Sequence, residues 1–318
     1  MPRPPPLLNT LVLLWVLASG GAEASTTELA LDGRHLLDHW TVQDGLPLNH
    51  LRDLAVSDEG YVWMATLDGL VRFDGLAMRN FRRAQHPELP SNRFVAVESG
   101  GGGRLWLTTE EGTVLALDGE GHQGSRFTQW APQPGSGALY EHLFTGNQAT
   151  WAYGPDALAR LDGGGPKAAK GLPPGARPDS LLDVDNELWV GTREHGVWVL
   201  GPDLVARALD PTLRPGRVES MVRHPDGGVF LGTSTGVFLY EKGRDLTALA
   251  PPGQQGAGVC ELLYSDRLWV RDVSGWWTLD ADGYELLERV PTLDCRGGSR
   301  VIDGEPWRMV STALVHGT

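Results

Sequence analysis

Only two cysteines, Cys260 and Cys295, occur in 318 residues, too few for a catalytic framework and a structural bridge together. Cationic side chains are also in short supply. Twenty-seven Lys and Arg stand against 40 Asp and Glu, giving a formal net charge of −13. A chain so acidic repels phosphate backbones and anionic lipid, which argues against nucleic acid as a partner. No apolar run approaches the roughly 20 residues that a membrane-spanning helix needs. Collagen is excluded because no Gly-X-Y period is present, and general disorder by 41% apolar residues with 12 tryptophans. What abounds is glycine, 42 residues, with 22 prolines beside it. Both interrupt helices, so long helices must be few.

The first 24 residues read as an export signal. Arg3 and the free amine form a positive end, and Leu7 to Leu17 an apolar run broken only by Asn9 and Thr10. Gly20 and Gly21 end that run, and Ala22-Glu23-Ala24 suits a small-x-small cleavage site before Ser25. The run is shorter than a membrane span, and the expectation is a periplasmic or secreted mature chain with no segment left in the membrane.

The large aromatics recur at a fixed interval. Trp63, Trp106, Trp151, Trp189, Phe230, Trp269 and Trp307 are separated by 38 to 45 residues. Six or seven residues after each of the first six stands a small residue: Gly69, Gly112, Ala157, Gly196, Gly236 and Gly275. An alternating apolar stretch follows, such as Leu70-Val71-Arg72-Phe73-Asp74. Each unit therefore reads as strand, tight turn and strand, with further strands around them. A period near 40 built from short strands is the mark of a β-propeller, in which each repeat is one four-stranded blade. Residues 25–318 give about 42 residues per blade if there are seven. The fold predicted is all-β, a seven-bladed propeller. One aromatic per blade fills the wedge against the neighbouring blade, so the core is spread between blades.

From Asp58 to Gly75 the chain runs Asp58-Glu59-Gly60-Tyr61-Val62-Trp63-Met64-Ala65-Thr66-Leu67-Asp68-Gly69-Leu70-Val71-Arg72-Phe73-Asp74-Gly75. This resembles the two-component regulator propeller repeat, D-x-x-G-x-L-W-I-G-T followed by G-L-x-R-Y-D. The stretch Trp40 to Asn49 is similar to that family's opening segment, and Leu188 to Thr192 and Val229 to Thr233 match the W-I-G-T part. The later units have drifted further, Trp307 to Ser311 most of all. The resemblance implies a periplasmic ligand-sensing domain that serves a histidine kinase, hybrid kinase or diguanylate cyclase. None of the residues that perform kinase or cyclase chemistry is present here, so the expectation is a sensor whose output lies outside this chain.

The sequence nominates no catalytic residue, cofactor or metal site. Gly119 to Gly124 fits G-x-G-x-x-G but is followed by an apolar strand-like run, where a phosphate-binding helix should begin. His35 and His39 have no third ligand near them in sequence. Asp58-x-Gly60-x-x-Trp63 partly matches the aspartate-box turn of sialidases, a structural turn even there. Propellers also host hydrolases and lyases, so an exported enzyme acting on polysaccharide is the alternative to a sensor.

Three further expectations follow. Residues 36–42 align with the outer strand of a blade, as 76–83 do in the first repeat. The last unit offers three strands, near 300–303, 307–310 and 313–316, so pairing of the N-terminal and C-terminal strands would close the ring. Cys260 and Cys295, even in number and in an oxidising compartment, form a disulfide or else remain buried thiols on inner strands. The ligand site is predicted where the loops leading into each innermost strand meet the turns after each tryptophan. Those loops carry Asn49, His50, Asn92, Arg93, Tyr140, His142 and Arg217, and the turns carry Asp68, Arg193 and His195. Such a mixture suits a small polar ligand, and the resemblance makes an oligosaccharide the first guess.

Overall fold

Apolar alternation over four to six residues, cut by glycine turns, gives short strands, and a computed structural model shows 27 of them. It describes residues 42–48, 50–119, 122, 124–132, 137–209, 216–249, 258–264, 267–272, 275–280, 283–289, 299–302, 305–310 and 313–316, with backbone alone from residue 280 onward. The first sheet holds β1 (Leu51–Val56), β2 (Val62–Thr66), β3 (Gly69–Phe73) and β4 (Met78–Phe81). The second holds β5 (Phe94–Ser99), β6 (Arg104–Thr109), β7 (Val114–Asp118) and β8 (Arg126–Trp130). The third holds β9 (His142–Thr145), β10 (Thr150–Gly154), β11 (Ala157–Asp162) and β12 (Gly165–Ala168). The fourth is built of β13 (Pro178–Val184), β14 (Glu187–Thr192), β15 (Val197–Leu200) and β16 (Ala206–Ala208). The fifth takes β17 (Val218–Arg223), β18 (Val229–Thr233), β19 (Gly236–Tyr240) and β20 (Thr247–Ala248). The sixth takes β21 (Val259–Tyr264), β22 (Leu268–Asp272), β23 (Gly275–Asp280) and β24 (Gly283–Arg289). A three-stranded sheet of β25 (Ser299–Ile302), β26 (Glu305–Val310) and β27 (Ala313–His316) follows. Every sheet is antiparallel with its strands in chain order.

Each repeated aromatic falls on the second strand of its sheet, and the first five pack toward the next one. Trp63 is fully buried with Phe94, Val97, Leu105 and Leu107 of the second sheet. Trp106 is buried with Leu143, Ala152 and Ala159 of the third, and Trp151 with Leu181, Leu188 and Val190 of the fourth. Trp189 and Phe230 do the same toward the fifth and sixth sheets. The core thus lies between sheets. First strands of successive sheets lie side by side, β1 with β5, β5 with β9, β13 with β17 and β17 with β21.

The W-I-G-T positions explain themselves in three dimensions. A Cβ on Gly191 would sit 2.2 Å from Ser180 Oγ and 2.7 Å from Val218 Cγ1, so only glycine lets the fifth sheet approach the fourth. The threonine at the next position is buried and caps its own turn. Thr66, Thr192 and Thr233 donate from Oγ1 to the carbonyls of Gly69 (2.7 Å), Gly196 (2.8 Å) and Gly236 (2.9 Å).

Two strand boundaries differ from expectation. Residue 42 opens a 3₁₀ turn, Val42–Asp44, and residues 36–41 lie outside the described residues. The outer strand of the first sheet is Met78–Phe81 and not 76–83. Asp74 Oδ1 accepts from the N–H groups of Leu76 and Ala77, at 2.9 and 2.7 Å, and this local turn delays the strand. At its far end Arg83 N–H turns away to Asn92 Oδ1, 2.8 Å. Outer edges are not all open. Lys170, beyond β12, bridges in parallel to Val205, at the start of β16, with Ala206 N–H donating to Lys170 O at 2.7 Å.

Candidate functional site

One end of the sheets gathers the incoming loops and the turns after each second strand. Backbone bonds tie the two sets together: Glu110 N–H to Arg93 O (2.9 Å), Arg193 N–H to Arg177 O (3.1 Å) and Ser234 N–H to Arg217 O (3.0 Å). At this end the first strand slips its register in five sheets. The slips lie between Leu51 and Asp53, Phe94 and Ala96, Pro178 and Ser180, Val218 and Ser220, and Val259 and Glu261. Each inserts one extra residue as a bulge, and the five are Arg52, Val95, Asp179, Glu219 and Cys260. A bulge re-aims its side chain and leaves the ladder, so these residues stand free of the sheet's alternation.

The next position in the strand serves a different end. Asp53 Oδ2 accepts from Val97 N–H of the second sheet at 3.0 Å. Ser180 Oγ donates to Val218 O at 3.2 Å, and Ser220 Oγ accepts from Leu262 N–H at 3.0 Å. These polar side chains staple each inner strand to its neighbour.

The bulge residues build a charged cluster across several sheets. Asp179, 15% exposed, takes Arg193 Nη2 on Oδ1 at 3.1 Å and Arg217 Nε on Oδ2 at 2.8 Å. Arg217 Nε also reaches Glu219 Oε1 at 2.7 Å. Burial pushes the Glu219 carboxyl up from its usual range, against the pull of Arg217. Hydrogen bonding to Asp179 stabilises the Arg193 cation further. Arg93 pairs with Glu110 at the solvent-exposed rim, and that bond holds the Glu110 carboxyl down. His142, at the start of β9, is exposed, and its ring lies 5.2 Å from that of Tyr153. Burial lowers its imidazole pKa; Glu141 and Asp179 oppose that shift, and Arg52 adds to it. Groups of the first, third and fourth sheets therefore feel one another across this mouth. Arg52 forms no hydrogen bond or ion pair among the described residues.

The predicted residues divide. His142, Arg193 and Arg217 belong to the cluster, with Arg93 on its rim. His50 is exposed just before β1, and His195 is exposed in the turn after β14. Asp68 pairs with Arg82 at 3.0 Å. Asn92 spends both carbonyls internally, its backbone O on Gly69 N–H (2.8 Å) and Oδ1 on Arg83. Tyr140 is 7% exposed and packs with Trp106 and Leu143, where burial raises its phenol pKa. Asn49 and Cys295 lie outside the described residues. Sequence reading missed Arg52, Asp179 and Glu219, which look like ordinary strand residues; their place ten or eleven residues before the aromatic is the signal that marks them. Among the described residues no three His, Cys, Asp or Glu converge as a metal site, and no helix is long and apolar enough to cross a membrane.

No family model matches the chain, and no curated protein matches it. Solved structures do. The chain is similar to the extracellular domain of a hybrid two-component system from B. thetaiotaomicron, with a TM-score of 0.64 at 15% identity, over 88% of this chain and 41% of that one. The extracellular domain of a one-component system from the same organism gives 0.62 at 15% identity, over 85% and 38%. A virginiamycin B lyase from Staphylococcus aureus gives 0.63 at 14% identity, over 83% and 93%. At such identities the likeness is one of fold. The chain spans about two-fifths of the two extracellular domains.

Proposed function

We propose that the chain is the ligand-reading propeller of an exported signal-transduction protein of the two-component regulator type. Residues 1–24 direct export, 25–318 form seven blades, and the N-terminal strand at 36–41 completes the three-stranded last sheet. The output is a kinase or diguanylate cyclase. The observation that carries the reading is the mouth, where several sheets supply Arg52, Asp179 and Glu219 through a repeated bulge and His142, Arg193 and Arg217 from the strand start, turn and loop beside them. Loops and bulges on a rigid scaffold are where recognition residues collect, and this set offers donors and acceptors to a small polar ligand such as an oligosaccharide.

The test is a thermal-shift screen of oligosaccharides, followed by Arg217→Ala and His142→Ala in the best binder. Loss of the shift in both variants is expected; a shift that survives both places the ligand elsewhere. Deleting residues 36–41 should lower the melting temperature by several degrees if that strand closes the ring, and an unchanged value overturns closure.

A hydrolase or lyase is the second reading, favoured by one observation. Asp179 and Glu219 approach through the shared Arg217, and Glu219 is the carboxyl whose proton affinity is raised. Turnover of a polysaccharide that Glu219→Gln abolishes would replace the sensor reading with this one.

A further inference from the structure

At the end of the sheets opposite the mouth, hairpins join first and second strands, and side chains cross from one sheet to the next. His122 Nε2 meets Glu59 Oε2 at 2.7 Å between the first and second sheets. Gln148 donates to Asn186 Oδ1 between the third and fourth. Arg223 donates from Nε to Asp183 O at 2.9 Å between the fourth and fifth, and pairs with Asp185 at 3.2 Å.

The junction of the second and third sheets is built otherwise. Its hairpin is Gly100-Gly101-Gly102-Gly103, with φ of +75°, +63° and +74° at the last three. A Cβ at any of those three would meet nothing within 4 Å. A cleft of about 310 Å³ opens here. Gly101, Gly102, Arg104, Asp118, Gln148 and Asp162 are among its lining. Trp106 forms part of the wall, with the Arg104 guanidinium 5.6 Å from its ring.

Charge in the cleft is matched pair by pair. Arg104 Nε holds Asp118 Oδ1 at 2.6 Å, and Lys167 Nζ holds Asp162 Oδ2 at 2.5 Å. An ionic ligand would add a charge with no counterpart. A neutral ligand would not, and it could use what the pairs leave over. The terminal nitrogens of Arg104 and the Gly101 and Gly102 N–H groups can donate, and Asp118 Oδ2 and Gln148 Oε1 can accept; both Asp162 oxygens are taken, Oδ2 by Lys167 and Oδ1 by Gly164 N–H at 2.8 Å. Adjacent donors and acceptors in one small polar space are matched by vicinal hydroxyls, each of which gives one bond and takes others. The volume is at the lower end of the range for small-molecule sites. We infer that this cleft is a second binding site, separate from the mouth, for a small uncharged polyhydroxylated molecule. The inference does not depend on what the mouth binds.

The test follows backbone and side-chain amide resonances of the isotope-labelled chain while myo-inositol is added, with sulfate and glycine titrated in parallel as an anion and a zwitterion. Saturable shifts at Gly101, Gly102 and the Gln148 amide are expected from inositol alone. Gln148 is exposed, so Gln148→Trp should plug the cleft and weaken the titration at least about tenfold; it also loses the bond to Asn186, so Asn186→Ala, which loses that bond and leaves the cleft open, is the control and should titrate as the unaltered chain does. Asp118→Asn, which removes an acceptor charge but little volume, should weaken the titration too. Absence of saturable shifts at those residues, equal titration in Gln148→Trp, or larger shifts from sulfate or glycine would overturn the inference.

Discussion

Thr192 shows how a single side chain holds a turn. Its hydroxyl donates to Gly196 O and accepts from His195 N–H at 3.0 Å, with no solvent exposure. Thr192→Val keeps the shape and leaves His195 N–H without its acceptor, while Gly196 O keeps the bond from Thr192 N–H at 2.9 Å; the cost is about 0.5–1.5 kcal/mol. Urea unfolding should show the lower midpoint, and Thr192→Ser should restore most of it. His142 makes stability depend on pH. Burial holds its folded-state pKa below the unfolded value of about 6.5. Between the two values the unfolded chain binds the extra proton, so stability falls as pH drops through that window. Glu141, Asp179 and Arg52 all bear on the ring, yet only His142→Gln removes the proton itself. The difference in unfolding midpoint between pH 7.5 and 5.5 should shrink in that variant. An unchanged difference would show that His142 is not desolvated.

Strands and sheets were legible in the sequence because their determinants are local and repeat. The tryptophan interval, the small residue after it and the alternation from Leu70 to Asp74 all specify strand, turn and strand without reference to another sheet. Five of the six small residues do adopt positive φ, and Ala157 alone manages without. The bulges were not legible, since a register slip is settled between two strands and leaves no mark in one. Arg52, Asp179 and Glu219 therefore passed for ordinary strand residues. The burial of Tyr140 was not legible either: its hydroxyl suggested a ligand contact, while its ring packs in the cluster that holds Trp106. The junction between sheets is where substitutions should tell most. Gly191→Ala forces Cβ against Ser180 and Val218 and should cost about 1–3 kcal/mol, read as a lower urea midpoint. Asp53→Ala leaves Val97 N–H without its acceptor and should cost a similar amount, about 1–3 kcal/mol.

Over the whole chain, stability accumulates junction by junction, as in other repeat architectures. Cys260 lies on the first strand of the sixth sheet, and Cys295 precedes the first strand of the last, so a bridge between them would fasten that junction covalently. The denatured, unreduced protein should then show no titratable thiol; two thiols would leave the pairing without support. The outer bridge from Lys170 to Val205 has a consequence of another kind. It straps the third and fourth sheets at their rims, while between the second and third a cleft opens beside the glycine hairpin. Amide protons of the third and fourth sheets should exchange with deuterium together, as one block. The seam beside Gly101 should open before any other, and a protease given the native protein should make its first cut there.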